Sequence, residues 1–128
     1  MDAFMVKFPQ AKIHQWTREQ EGDILVYDIE FEQEGLKFEA DIKENGSIHN
    51  WEKAIEVNDL PDAVKMAADK KYPNSTIKEI MEITEVQGKD ENLEGYEVVL
   101  ETAQKREIEI TIAPDGKILE DSEENKSE

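Results

Sequence analysis

The chain has two histidines, His14 and His49, and thirty-two acids, and any chemistry it performs would have to start from them. A hydrolytic triad needs a base set beside a nucleophile and oriented by a third group. Neither histidine has a serine or a spaced carboxylate placed to form such a trio, so both read as ordinary strand residues. Paired carboxylates can serve as the acid and base of a glycan hydrolase. That requires a fixed separation and an apolar pocket to raise one pKa. With so many acids any pair can be nominated, and none stands out. Asp90-Glu91-Asn92-Leu93-Glu94 offers oxygen ligands for calcium but lacks the ligand spacing and glycine of an EF-hand, and it reads as a solvated acidic loop. There is no cysteine, which removes disulfides, thiolate zinc sites and cysteine nucleophiles. No catalytic residue, metal site or cofactor is expected. The competing readings are a small-ligand or calcium carrier and, less favoured, a glycan-acting enzyme.

Charge narrows the partners. Fifteen bases against the thirty-two acids leave a net charge of -17. Such a chain repels a phosphate backbone and has no clustered basic stripe to neutralise one, so no nucleic-acid partner is expected. A basic protein is the partner this composition favours. The longest apolar runs, such as Ile24-Leu25-Val26-Tyr27, are far too short to cross a bilayer, so no membrane insertion is expected. Oligomeric state is not legible.

The elements that would position these side chains are announced by an internal echo. Lys7-Phe8-Pro9 returns as Lys71-Tyr72-Pro73, Ile13 as Ile77 and Trp16 as Ile80, a spacing of 64 residues. Tyr27-Asp28-Ile29-Glu30-Phe31 is answered by Tyr96-Glu97-Val98-Val99-Leu100, 69 further on. Phe38-Glu39-Ala40-Asp41-Ile42 is answered by Ile108-Glu109-Ile110-Thr111-Ile112, 70 further on. The drift predicts a longer loop in the second copy, at Gln87-Gly88-Lys89-Asp90-Glu91-Asn92.

Within each copy the hydrophobic period changes by segment. Leu60, Val64, Ala67, Ala68 and Tyr72 recur at helical spacing, with Asp59 as the expected cap, Pro61 in the first turn and Pro73 as the stop. Only Asp2 to Lys7 precede the matching Pro9, so the first helix is expected to be a turn or two shorter, with native sequence expected ahead of Met1. Alternation elsewhere predicts strands at about 12–18, 23–32, 36–43, 47–53, 76–86, 94–102, 105–113 and 116–120. Asn45-Gly46 and Asp115-Gly116 are hairpin signals, since those pairs tolerate positive backbone angles.

The expected fold is α+β: two tandem helix-plus-four-strand repeats, about 1–57 and 58–119, forming one antiparallel sheet of about eight strands with helices packed on one face. They would make a single domain over 1–119. Residues 120–128, without an apolar side chain, are expected to be a disordered acidic tail. The sheet face away from the helices would be polar and open. Glu39, Asp41, Glu97, Glu101, Glu107 and Glu109 fall there by alternation and are the candidate partner-binding residues. Trp51 joins them as an aromatic at a strand end.

Phe8-Pro9-Gln10-Ala11, Tyr27-x-Ile29-x-Phe31, the strand leading to Asn45-Gly46, Leu60-Pro61-Asp62-Ala63-Val64 and Tyr72-Pro73 together resemble the PepSY-like domains. Those domains are similar in fold to the beta-lactamase inhibitor protein. The resemblance covers about Ala3 to Leu119. It implies a periplasmic or secreted, non-enzymatic protein-binding inhibitor or regulator, related to peptidase control. It carries over no site residue.

Overall fold

The computed structural model describes residues 2–122. Its elements are α1 (Asp2–Lys7), β1 (Lys12–Glu21), β2 (Ile24–Gln33), β3 (Leu36–Lys43), β4 (Ile48–Ala54), a 3-10 turn (Val57–Asp59), α2 (Asp62–Lys71), β5 (Thr76–Gln87), β6 (Asp90–Glu101), β7 (Glu107–Ile112) and β8 (Ile118–Asp121). The eight strands form one antiparallel sheet in the order β1 to β8. Two compact units emerge, Met1–Lys53 with Thr84–Asn92, and Ala54–Ile83 with Leu93–Glu128.

In the first unit the core is aromatic. Phe4 and Phe8, from α1 and its end, sit on Phe31 and Phe38 of β2 and β3. Phe4 meets Phe31 edge-on at 4.9 Å between centroids, and Phe31 stacks on Phe38 at 5.3 Å. Strand alternation delivers Ile29, Ala40 and Ile42 to the same layer. The β2–β3 turn has both central residues, Glu34 and Gly35, at positive φ, which matches the twist of the flanking strands. In the second unit Leu60, Val64 and Ala68 cover Tyr96, Val98, Leu100, Ile108, Ile110 and Ile112, so the core there is aliphatic.

Bulges explain side-chain placements that simple alternation would miss. Ile13 pairs with Phe31 and Gln15 with Glu30, so His14 is the extra residue. That residue lets Ile13 and Trp16 face the same way despite opposite parity. A second bulge lies at His49, between the pairs Asp41 with Asn50 and Ile42 with Ile48. Its counterpart in the second unit is Leu119, between Thr111 with Glu120 and Ile112 with Ile118.

Four expectations are corrected. The long loop at 87–92 is a two-residue turn at Gly88-Lys89, Gly88 at φ 63°, flanked by extended strands. The added length lengthens β5 and β6 instead. Asp59 does not cap α2; it closes the preceding 3-10 turn, where its carboxylate accepts from the Glu56 amide at 3.3 Å, and Pro61 stands at the helix start. The face away from the helices is not uniformly polar, because Val26 in the first unit and Met81 in the second are buried on it. Lastly, order continues past 120. β8 reaches Asp121, which is buried, and Tyr72 Oη donates to its carboxylate at 2.7 and 2.6 Å. Residues 123–128 of the expected tail lie outside the described residues.

The Tyr72–Asp121 contact ties the end of α2 to the final strand. Lys71 Nζ also lies 3.8 Å from this carboxylate, so Tyr72→Phe removes one of its partners and is expected to cost about 1–3 kcal/mol. Urea unfolding would read this as a lower midpoint with an unchanged slope. An unchanged midpoint would mean that this hydrogen bond contributes nothing to the fold.

Candidate functional site

The sheet register decides which carboxylates stand together. On β3, Phe38, Ala40 and Ile42 turn toward α1, so Glu39 and Asp41 turn away. Glu39 lies directly opposite Glu30 on β2 and Glu52 on β4. Asp41 lies opposite Asp28 on β2 and Asn50 on β4. The first unit thus carries a row of three glutamates across three strands, with a second row of two aspartates and an asparagine beside it.

The second unit has its own acidic face. Tyr96, Val98 and Leu100 turn inward on β6, leaving Glu97 and Glu101 on the other side. Glu101 pairs with Glu107 on β7, Glu97 with Thr111, and Glu109 with Val99. Lys78 Nζ approaches Glu101 at 3.9 Å, and the Glu109 amide donates to Ser122 Oγ at 3.0 Å. Like charges directly opposite on neighbouring strands cost a few tenths to about 1 kcal/mol per pair. A cation arriving at either face would relieve that repulsion.

Four of the six acidic candidates, Glu39, Asp41, Glu97 and Glu101, are half-buried, while Glu107 and Glu109 are exposed. Asp28, Glu30 and Glu52 belong to the same rows and were not singled out from sequence. The signal that would have found Asp28 and Glu30 is the Glu34-Gly35 turn, since a two-residue hairpin fixes the register of β2 on β3, whereas Glu52 depends on the β3–β4 register, which the bulge at His49 shifts.

Trp51 is not part of the acidic face. It lies opposite Ala40 and packs in the aromatic core, its ring 5.6 Å from Phe8 and 6.2 Å from Phe38. Its indole Nε1 donates to Glu91 Oε1 at 2.8 Å, and Lys7 Nζ sits 2.9 Å from Glu91 Oε2 and 5.1 Å from the Trp51 ring. The stretch Asp90 to Glu94, weighed for calcium, is a strand whose successive side chains diverge, and Glu91 takes these two partners. Among the described residues no group of three or more acids and histidines could hold a metal. His14 Nε2 lies 3.8 Å from Glu32 Oε1, both side chains about half exposed.

The hydrogen bond from Lys7, then that from Trp51, holds the Glu91 carboxyl below its ordinary value. A depressed carboxylate pKa stabilises the fold above the unfolded-state pKa, and that contribution disappears as pH falls through the folded value. Both Lys7 and Glu91 side chains are more than a third exposed, so the contribution is at most about 1 kcal/mol. Glu91→Gln should lower the melting temperature slightly at neutral pH. The gap to wild type should close in acid, and a gap that persisted or widened there would contradict the charge-based assignment.

No known family profile matches the chain, and no curated protein matches it. Solved structures do. A DUF2874 family protein from Bacteroides uniformis superposes with a TM-score of 0.70 at 14% identity, covering 94% of this chain and 83% of that one. A BLIP-like protein from Bacteroides fragilis gives 0.63 at 20% identity, covering 94% and 80%. A protein from Bacteroides eggerthii, described provisionally as periplasmic, gives 0.70 at 12% identity, covering 94% and 83%. The chain therefore shares the fold of the beta-lactamase inhibitor-like proteins. Among the described residues no helix is long and apolar enough to cross a membrane.

Proposed function

We propose that the protein is a non-enzymatic, exported binding module whose acidic strand faces take a basic protein partner. The observation that carries this reading is the row Glu30–Glu39–Glu52, with Glu101 opposite Glu107 in the second unit: carboxylates gathered by the strand register on one face, which a cationic surface would complement. The half-burial of Glu39, Asp41, Glu97 and Glu101 strengthens such an encounter, since partly desolvated charges are less screened by salt.

Supporting context comes from the fold. A BLIP-like protein is among the structural neighbours, and another neighbour is described as periplasmic. The PepSY-like motif order fits the same style of action, a protein-binding inhibitor or regulator of the peptidase-related kind acting in the periplasm or outside the cell.

Replacing Glu39, Asp41, Glu107 and Glu109 together with lysine tests this. Crosslinking capture from envelope and secreted fractions should recover a basic protein with the wild type and lose it with the variant. The melting temperature should change little, because the four side chains lie on the strand faces away from the two cores. Equal capture by both forms would remove the acidic faces as the binding surface.

A further inference from the structure

The turn from β3 into β4, residues 43–47, and the turn from β7 into β8, residues 113–117, are closed by the same bonds. The amides of Lys43 and Ala113 donate to the carbonyls of Ser47 and Lys117, both at 2.8 Å. The amides of Gly46 and Gly116 donate to the carbonyls of Lys43 and Ala113, both at 2.9 Å, and both glycines have positive φ, 89° and 97°. In each turn the residue before the glycine is exposed, and its side chain accepts from the residue after the glycine. The Ser47 amide donates to Asn45 Oδ1 at 2.9 Å, and the Lys117 amide to Asp115 Oδ1 at 3.0 Å. At that side chain the two turns differ as an amide differs from the acid its hydrolysis yields.

We propose that Asn45 is a site of spontaneous deamidation, and that its turn holds the resulting aspartate as the sister turn holds Asp115. Of the six asparagines only Asn45 precedes a glycine, whose missing side chain leaves the amide nitrogen open to close approach. That nitrogen loses its proton to water and attacks Cγ of Asn45. The new C–N bond closes a cyclic imide, and the bond from Cγ to Nδ2 breaks, releasing ammonia. Water then opens the ring. Opening between Cγ and the nitrogen restores the main chain and leaves aspartate, whereas opening at the main-chain carbonyl inserts a methylene into the backbone as isoaspartate. Water is the sole co-reactant.

The turn acts on both stages. Negative charge builds on Asn45 Oδ1 as the nitrogen attacks, and that atom accepts from the Ser47 amide and, at 2.6 Å, from Ser47 Oγ, two donors placed to stabilise it. Lys117 stands in the place of Ser47 in the second copy, so the hydroxyl donor belongs to the first turn alone. The Gly46 amide must leave the Lys43 carbonyl for each attack, a local opening that an exposed turn undergoes at little cost. The bonds from Lys43 to Ser47 and from Gly46 to Lys43 fit the native backbone length, which favours the ring opening that yields aspartate. The product adds a negative charge beside Glu44 to a chain already at -17.

The whole protein is aged in mildly alkaline buffer at physiological temperature, folded and in urea. Its peptides are then mapped by mass spectrometry, with aspartate separated from isoaspartate. In the folded protein Asn45 is expected to convert several-fold faster than Asn50, Asn58, Asn74 and Asn92. Ser47→Ala should slow that conversion several-fold in the folded protein and leave the rate in urea unchanged, while Ser47→Thr, which keeps the hydroxyl, should retain the wild-type rate. The share of aspartate should be larger in the folded protein than in urea. Conversion of Asn45 no faster than that of the other four would overturn the proposal. So would a folded-state rate indifferent to Ser47→Ala, an equal slowing in urea, or the same share of isoaspartate in both states.

Discussion

Gly95→Ala should be among the most damaging single substitutions in the chain. A Cβ at this position would lie 2.4 Å from the Ile112 carbonyl oxygen, 3.1 Å from its carbon and 3.2 Å from Ala113 Cα. All three are backbone atoms of β7 and the residue after it, so no rotamer change can make room. Relief requires β6 and β7 to separate where Tyr96 pairs with Ile112, at the middle of the second core. Overpacking of side chains costs about 1–3 kcal/mol. A clash against paired backbone belongs at or above the upper end of that range, a large part of the roughly 5–15 kcal/mol that holds such domains together. Gly22→Asn is the control. Gly22 also has positive φ, 62°, but nothing lies within 4 Å of its Cβ position, and asparagine tolerates that conformation. Urea midpoints should fall steeply for the first variant and barely for the second. Similar midpoints would show that the close approach at Gly95 is not a constraint.

Phe31→Ala should cost about 3–5 kcal/mol, the range for emptying a buried phenylalanine site. Its ring is fully buried among Phe4, Phe8 and Phe38 at centroid distances of 4.9, 4.8 and 5.3 Å. The six-residue α1 and the residue after it bring Phe4 and Phe8 onto this ring, so collapse around the cavity would loosen both together. Both tryptophans belong to the first unit, so their fluorescence reads that unit directly. The equivalent change in the second unit, Leu100→Ala, removes a smaller side chain from an aliphatic cluster and should cost about 2–5 kcal/mol. A loss below 1 kcal/mol at Phe31 would mean that the aromatic cluster is not the core of its unit.

The architecture was legible because two signals agreed. The Lys-aromatic-Pro joint at Phe8-Pro9 and Tyr72-Pro73 marked where helices stop, and alternation at Tyr27–Phe31, Phe38–Ile42 and Ile108–Ile112 marked faces that are now the two cores. The helix-bearing face and the candidates Glu39, Asp41, Glu97, Glu101, Glu107 and Glu109 followed from parity alone. What was missed depended on long-range contacts. Asp90–Glu94 looked like an acidic loop because nothing local shows that Lys7 and Trp51 will meet Glu91. Trp51 was placed with the acids because its burial is decided by Phe8 and Phe38, more than a dozen residues away or further. Asp121 looked like tail because its polar neighbours hide a partner 49 residues upstream, the Tyr72 hydroxyl. The rows that join Glu30 to Glu39 and Glu52 emerge only once strand register is fixed.

The assignment of the acidic strand faces as the partner surface comes down to one labelling experiment. Carboxyl groups are modified with a water-soluble carbodiimide and an amine in the free protein and in the complex captured from envelope or secreted fractions, then located by peptide mass spectrometry. Labelling of Glu39, Asp41, Glu107 and Glu109 should fall in the complex, while Asp115 and Glu44, in the hairpin turns, should label equally in both states. Unchanged labelling of those four residues in a complex that persists would contradict the assignment.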